Sequence, residues 1–478
     1  YRTMKKYNKC NGCSDDEISH QLKEYLKKLI CSVMPHNILN TYDEIIIGEY
    51  HSKGASTFHS VIQINSIKEI KLLFLEGLFR KIGIKDSNVI FCIMPHLAHY
   101  SHKLTQDEKI EISKVIIENH LHVAFNVENI ERINKLNQSF SHALEQLKKA
   151  NKNLVTHYNV QFIFNLNEKG IREIYRNLLK MQNLQINYKI GLDITCMLDN
   201  PVQFKTLELQ IKRLKFDYLY IDNARLASPY LLDNNEGLLL KNILQLENVL
   251  DHLNQFDFNN EQLMFLNLVN HQLLNNEEID LSNSAPLLYR SVAKLKDNFA
   301  GFGLNLFSHP DLFNAVHLFD KNGFKITFGL VFNDLSWMMN QTKVEQRFYN
   351  ITEDTDRYLL YLFDWRVIES ESSVDDFNDV DVYINFDNKS LTDEYICVIA
   401  KIDDESGNIN HIISPELRSK YKWSTPFLMK VEDNFRPYVK IIGHDFRKSP
   451  LKVSLKYNAV YLIKIYKQDN VFKMRSTT

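Results

Sequence analysis

Two asparagines, Asn167 and Asn267, close apolar runs at places where a carboxylate would make a catalyst. The first lies in Gln161-Phe-Ile-Phe-Asn-Leu-Asn-Glu168, the second in Leu263-Met-Phe-Leu-Asn-Leu-Val-Asn270. Each run reads as a β-strand with its asparagine at the C-terminal end. A carboxyl there could transfer a proton or attack an electrophilic carbon. An amide cannot donate an acid proton near neutral pH, and it is a poor nucleophile. Glu168 is the only carboxyl in the two segments, and the only acid they could supply. Asp222, Asn305 and Phe307 fall at or near two further strand ends and complete a candidate ligand pocket with Asn167, Glu168 and Asn267. The plainer reading is that both asparagines are turn residues, since Asn favours such positions.

These residues need a frame. From about residue 60 to 335, short apolar strands alternate with helical stretches. The strands are Val89–Met94, His122–Val127, Val160–Phe164, Lys189–Ile194, Tyr218–Ile221, Leu263–Leu268 and Gly303–Phe307. The helices include Glu69–Ile82, Lys109–Asn119, Ser139–Ala150, Ile171–Met181, Thr206–Leu214 and Leu238–Leu253. Such alternation predicts parallel βα units, and eight of them close a TIM-type (β/α)8 barrel. An open doubly wound sheet is the alternative. The unit count and the lack of a glycine-rich first turn favour the barrel. After about residue 345 strands follow one another with polar turns between: 358–363, 380–386, 395–402, 427–431, 438–442, 451–455 and 459–466. They predict an all-β sandwich. The expected division is 1–42 as linker and N-terminal helix, 43–344 as barrel and 345–478 as sandwich, with strand 43–50 able to join the sandwich. Ser14-Asp-Asp-Glu17 is a capping box opening that first helix, whose Lys23, Lys27 and Lys28 lie on its solvated side. The acidic stretch 369–381 reads as a solvated loop.

Composition narrows the function. The chain has 478 residues, 44% of them hydrophobic and 24% charged, so a large core is expected. A net charge of −2 gives no global basic field for a polyanion. Only 14 residues are glycine, well below the usual ~7%, and no phosphate-cradling motif appears. No apolar run reaches the ~20 residues of a membrane span, and no signal peptide is visible. Six scattered cysteines fit a reducing cytoplasm. The chain opens on Tyr1 rather than Met, and a longer parent polypeptide is expected.

Other clusters resolve into plainer roles. Cys10-Asn-Gly-Cys13 with His20 lacks a second ligand pair, so no zinc site is assigned. His96, His99 and His102 read as a polar loop over the barrel mouth rather than a metal face. Phe313, Val316 and Phe319 read as core packing. No metal or cofactor is expected.

Several segments resemble the family 39 glycoside hydrolases of β-xylosidase type, in the version fused to the C-terminus of large AraC/XylS-type transcription regulators. Ser60-Val-Ile-Gln-Ile-Asn-Ser66 with Leu78-Phe-Arg-Lys-Ile-Gly83 looks like that family's opening strand and helix, ahead of the first barrel strand. Ile112–Val127 looks like its second βα unit, and His142 to Asn167 like the approach to its Asn-Glu-Pro acid motif. Ile174–Gly191 looks like the next helix and a glycine-ended turn. Phe216-Asp-Tyr-Leu-Tyr-Ile221 is similar to a strand that normally ends in His, Gly301 to His309 to the aromatic strand, and Gly323–Leu330 to the segment after it. Arg347–Trp365 looks like the first sandwich strands.

The departures fall where a sugar would bind. On this resemblance Asn167 stands at the acid/base Glu, Asn267 at the nucleophile Glu, Asp222 at a His and Asn305 at a Trp. Strand one, ending Phe91-Cys-Ile-Met, lacks the Arg-Phe-His pattern. A one-residue shift could restore Glu168 but not a nucleophile, because Leu266 and Leu268 flank Asn267. The three tryptophans, 337, 365 and 423, lie beyond the barrel strands. A retaining glycosidase needs two carboxyls ~5–5.5 Å apart. The resemblance therefore implies a non-catalytic sensory or interaction region. DNA would be contacted through an upstream helix-turn-helix, for which Tyr1-Arg2 is similar to the closing Pro-x-x-Tyr-Arg pattern. A small-molecule or sugar ligand, and a homodimer or protein partner, are the implied partners, with no membrane. The alternative is a glycosidase or carbohydrate-binding protein acting on β-xyloside-like sugars.

Overall fold

The computed structural model describes residues 43–47, 58–82, 89–94, 103–154, 156–166, 170–227, 238–269, 285–307, 317–319, 323–325, 327–335, 337–338, 344–345, 349–353, 356–364, 379–386, 395–403, 405–418, 420–421, 426, 430–431 and 435–466. Asn167, Glu168, Cys10, Cys13, His20, His96, His99, His102, Trp365, Trp423 and the N-terminal helix lie outside them.

After a first strand that stays outside the barrel, β1 (Asp43–Ile47), eight parallel strands follow. They are β2 (His59–Ile64), β3 (Val89–Ile93), β4 (His122–Val127), β5 (Asn159–Asn165), β6 (Tyr188–Asp193), β7 (Tyr218–Asp222), β8 (Leu263–Leu266) and β9 (Gly301–Phe307). Each pairs with the next, β9 pairs with β2, and β8 pairs with β9. The sheet is therefore a closed barrel, and the open-sheet alternative is excluded. A three-residue strand, β10 (His317–Phe319), adds to β9 outside the ring.

Both faces of the barrel strands are buried, which is why they read as continuous apolar runs. Val61, Ile90, Cys92, Ala124, Ile163, Tyr220, Met264 and Leu266 fill the interior. Ile62, Phe91, Val123, Phe162, Leu192, Leu219, Phe265 and Leu304 pack outward under the helices.

Four expectations change. Ser60–Ile64 does not precede the barrel; with His59 it forms its first strand, so Val89–Met94 falls on the second. Period 2 is hard to assign in a run buried on both faces. The helix expected over 69–82 breaks into a short α-turn, a π-turn at Lys71–Leu75 and a 3-10 turn at Leu78–Ile82. Gly77, at φ +78°, makes the bend. Gly191 is not in a turn but inside β6, where a Cβ would lie 2.8 Å from the Tyr220 ring. The strand expected at 427–431 is absent among the described residues, since Pro426, Lys430 and Val431 are helical.

The remaining strands are β11 (Val344–Glu345), β12 (Tyr349–Glu353), β13 (Arg357–Phe363), β14 (Val380–Phe386), β15 (Tyr395–Ile402), β16 (Tyr438–His444), β17 (Leu451–Leu455) and β18 (Val460–Tyr466). A six-stranded antiparallel sheet runs β11-β12-β13-β18-β15-β16, and a three-stranded sheet runs β1-β14-β17. β1 thus joins the all-β part, parallel to β14. Strand alternation divides the six-stranded sheet between two cores. Leu359, Tyr361, Phe363, Val460 and Leu462 belong to the barrel core. Leu360, Leu362, Tyr461, Ile463 and Ile465 pack with Ile45, Val382, Ile384 and Val453 of the smaller sheet. Tyr361 donates to the carbonyl of Asp334 (3.1 Å) and meets Tyr289 edge-to-face, tying the sheet to barrel helices Ala285–Leu295 and Thr327–Leu335. Trp337 lies at this junction, under the cations of Arg357 and Lys464. Among the described residues no helix is long and apolar enough to cross a membrane.

Candidate functional site

The C-terminal ends of the barrel strands carry a continuous belt of polar side chains. Asp193 closes β6 and Asp222 closes β7. Thr195 follows two residues after the first, and Arg225 three after the second. Arg225 reaches back to both carboxylates, with Nε 3.1 Å from Asp222 Oδ2 and Nη2 bonded to Asp193 Oδ2. Thr195 donates its hydroxyl to Asp193 Oδ1 (2.6 Å) and accepts the backbone N–H of Asp222 (2.9 Å).

Asn267 extends the belt past the end of β8. Its Nδ2 donates to Asp222 Oδ1 (2.6 Å), and its Oδ1 accepts from Asn305 Nδ2 (3.1 Å). Asn305, on β9, accepts in turn from Asn65 Nδ2 (2.8 Å), just past β2. The Asn267 backbone is held as well: its N–H donates to Gln63 Oε1 (2.7 Å), and its carbonyl accepts from Asn223 Nδ2 (3.1 Å). Asp222, Asn267 and Asn305 are 3%, 5% and 5% exposed, so these bonds form out of water. Asn267 stands at φ +52°, in the left-handed region that Asn tolerates better than other side chains with a Cβ. The turn reading of this asparagine describes its backbone, and the belt uses its amide.

The electrostatics follow from burial. Burial raises the Asp193 carboxyl above its ordinary range, while Arg225 and the Thr195 donors hold the rise in check. Burial works against the Arg225 charge, but the two carboxylates outweigh it and raise its pKa. Glu69, buried beside the end of β2, is lifted to about 7 by burial although the Asn65 N–H donates to it at 2.8 Å. It serves there as a helix-start acceptor, with Ser66 capping its own N–H. Cys196 donates to the Leu166 carbonyl (3.4 Å), and burial pushes its thiol up to about 11, so it is no thiolate nucleophile near neutral pH.

Of the sequence candidates, Asp222, Asn267 and Asn305 come together in one network. Phe307 does not enter it: the ring is buried and faces Phe319 at 5.9 Å. Asp193, Thr195, Arg225 and Asn65 were not singled out from sequence. The available signal was an aspartate ending two successive strands, each followed within three residues by a group able to reach it. Among the described residues no group of three metal-ligating side chains converges.

No protein-family model and no curated protein matches the sequence. Solved structures do. A monomeric β-xylosidase from Caulobacter crescentus CB15 superposes with a TM-score of 0.57 at 11% identity, over 89% of this chain and 99% of its own. A family GH39 β-xylosidase structure from Caulobacter crescentus gives 0.53 at 9% identity, over 89% and 100%. The fold is therefore GH39-like, a (β/α)8 barrel with a β domain.

Proposed function

We propose that this chain is a non-catalytic sensory or interaction region of an AraC-type transcription regulator, with DNA contact made by a helix-turn-helix elsewhere in the polypeptide. The observation that carries the non-catalytic reading is Asn267. It holds the place where a nucleophile would stand on the family resemblance, and its amide is spent between Asp222 and Asn305. The neighbouring carboxylates, Asp193 and Asp222, share one guanidinium. The regulator context rests on the sequence resemblance, and the net charge of −2 agrees with DNA being bound by another part.

Two experiments test the two halves. Aryl β-xylosides and a panel of other aryl glycosides should show no turnover above buffer. Turnover abolished by Glu168→Gln would sink the non-catalytic half and establish the glycosidase alternative. An immunoblot of source cells should show a polypeptide clearly larger than 56.3 kDa. A band at that mass would remove the regulator half. A carbohydrate-binding barrel is the second reading, favoured by the polar belt at the mouth, and thermal shifts with xylose and xylo-oligosaccharides would support it.

A further inference from the structure

Helix Leu238–Leu253 follows β7, so in a βα barrel its first turns stand at the mouth, level with the C-terminal ends of the strands. Every residue from Lys241 to Leu246 is buried. Lys241 itself is 2% exposed. Among the described residues no carboxylate lies within ion-pair distance of it, and no hydrogen bond reaches it. An ammonium withdrawn from water without an anion is a standing cost, which a bound anion would remove. The helix places this charge with respect to the polar belt. Gln245 Nε2 donates to Asn223 Oδ1 (3.5 Å), and Asn223 Nδ2 donates to the Asn267 carbonyl. Positions four apart share a helix face, and side chains lean toward the helix N-terminus. Lys241 therefore lies on the face of Gln245, one turn nearer the mouth, and its chain extends beyond the belt.

We propose that the barrel mouth binds a small molecule bearing an oxyanion, a carboxylate or a phosphate, with the Lys241 ammonium as its charge partner. Arg225 offers a further donor. It spends Nε on Asp222 and Nη2 on Asp193 and Thr195, and among the described residues no bond uses Nη1. Its side chain is 44% exposed, and a guanidinium edge suits an oxyanion. The belt carboxylates do not bar an anion, because their charges are met by Arg225 and by the Thr195 and Asn267 donors. A neutral sugar brings no charge to Lys241 and leaves its cost in place. The proposal rests on the sensory reading for the role of the anion as a signal; the site stands on Lys241 and Arg225 alone.

Calorimetric titration and thermal unfolding of the full chain, at fixed ionic strength, with inorganic phosphate, xylonate and xylose test this. Phosphate or xylonate should bind and raise Tm, and xylose should do neither. The two anion arms separate a phosphate ligand from a carboxylate one. Lys241→Met keeps a long unbranched side chain and removes the charge. It should raise the Tm of the free protein by about 2 °C or more, while weakening anion binding at least about tenfold. Lys241→Arg should retain binding, a result that a misfolded variant would not give. No response of the wild type to either anion would overturn the proposal. So would an equal response in Lys241→Met, which would mark an adventitious ion only, or a lower Tm for free Lys241→Met, which would mean that the charge is already stabilised. Aryl-glycoside turnover measured on the same preparation keeps the two readings apart: hydrolysis would sink the non-catalytic reading and leave the anion result standing.

Discussion

Asn267 shows how one amide can serve a buried belt that a carboxylate would break. Its N–H donor neutralises nothing, yet it occupies an oxygen of Asp222 that would otherwise sit buried with one fewer partner. Asn267→Asp replaces that donor by an acceptor and sets two carboxylates against each other. The expected cost is roughly 2–4 kcal/mol near neutral pH. The sign of its pH dependence is fixed. A second carboxylate set against the first makes proton uptake by the pair more favourable in the folded variant than in the folded wild type. The penalty should shrink as pH falls toward the ordinary carboxylate range and grow as pH rises. Urea unfolding at pH 5 and pH 8 would show this; equal penalties at both would mean that Asp222 and residue 267 do not interact. On the proposed reading, Asn267→Glu should not by itself give glycoside hydrolysis, because the left-handed backbone and the Arg225 clamp remain.

The elements are set by close approaches that only some residues allow. β6 crosses in front of Tyr220, a fully buried ring whose hydroxyl donates to Gln161 at 2.6 Å. Gly191→Ala would place a Cβ 2.8 Å from Tyr220 Cε2 and 3.2 Å from Ile163 Cγ1. Neither neighbour can retreat, so about 1–3 kcal/mol of overpacking is expected. Gly170→Ala is the contrast. It has open space around the new Cβ but sits at φ +75°, ψ −174°, a region essentially reserved for glycine, so its cost of about 1–3 kcal/mol is one of backbone conformation. Denaturant midpoints of both variants should fall below that of the wild type, and an unchanged midpoint for Gly191→Ala would show that the barrel wall yields. These two glycines also mark what was legible. β3 and β4 were readable almost to the residue because length and punctuation identify a strand even when both faces are apolar, and β14 and β17 because polar and apolar residues alternate along them. The role of Gly191 was not, since the ring it admits comes from a strand 29 positions on. The site divides in the same way. Asp222, Asn267 and Asn305 were visible as polar residues ending apolar runs. Arg225, which binds two strand ends together, was hidden because its partners become neighbours only when the barrel closes.

At the scale of the molecule, barrel and sheet share one core, and an acid lies at their seam. Asp334 ends a barrel helix, accepts the Tyr289 hydroxyl at 2.9 Å, and has its backbone carbonyl bonded to Tyr361 of the sheet. Burial lifts its carboxyl from an ordinary value of 3.8 to about 6, opposed by the Tyr289 hydrogen bond and by Lys464. The folded protein therefore holds this proton where the unfolded chain has released it. Stability should fall as pH rises from about 4 to about 6, and the loss is complete above 6, amounting to at most about 3 kcal/mol. Glu69 adds a slope of the same sign up to about pH 7, so the wild-type profile alone cannot isolate Asp334. Asp334→Asn can still accept from Tyr289 but cannot ionise. Subtracting its profile from the wild type's cancels Glu69, since the two sites share no partner. The difference should appear between pH 4 and 6, as wild-type stability drops relative to the variant. Because barrel and sheet share that core, the drop should move them together, seen as one calorimetric transition shifting as a whole. Two transitions, with only one of them responding to the substitution, would mean that the sheet is a separate unit resting on the barrel.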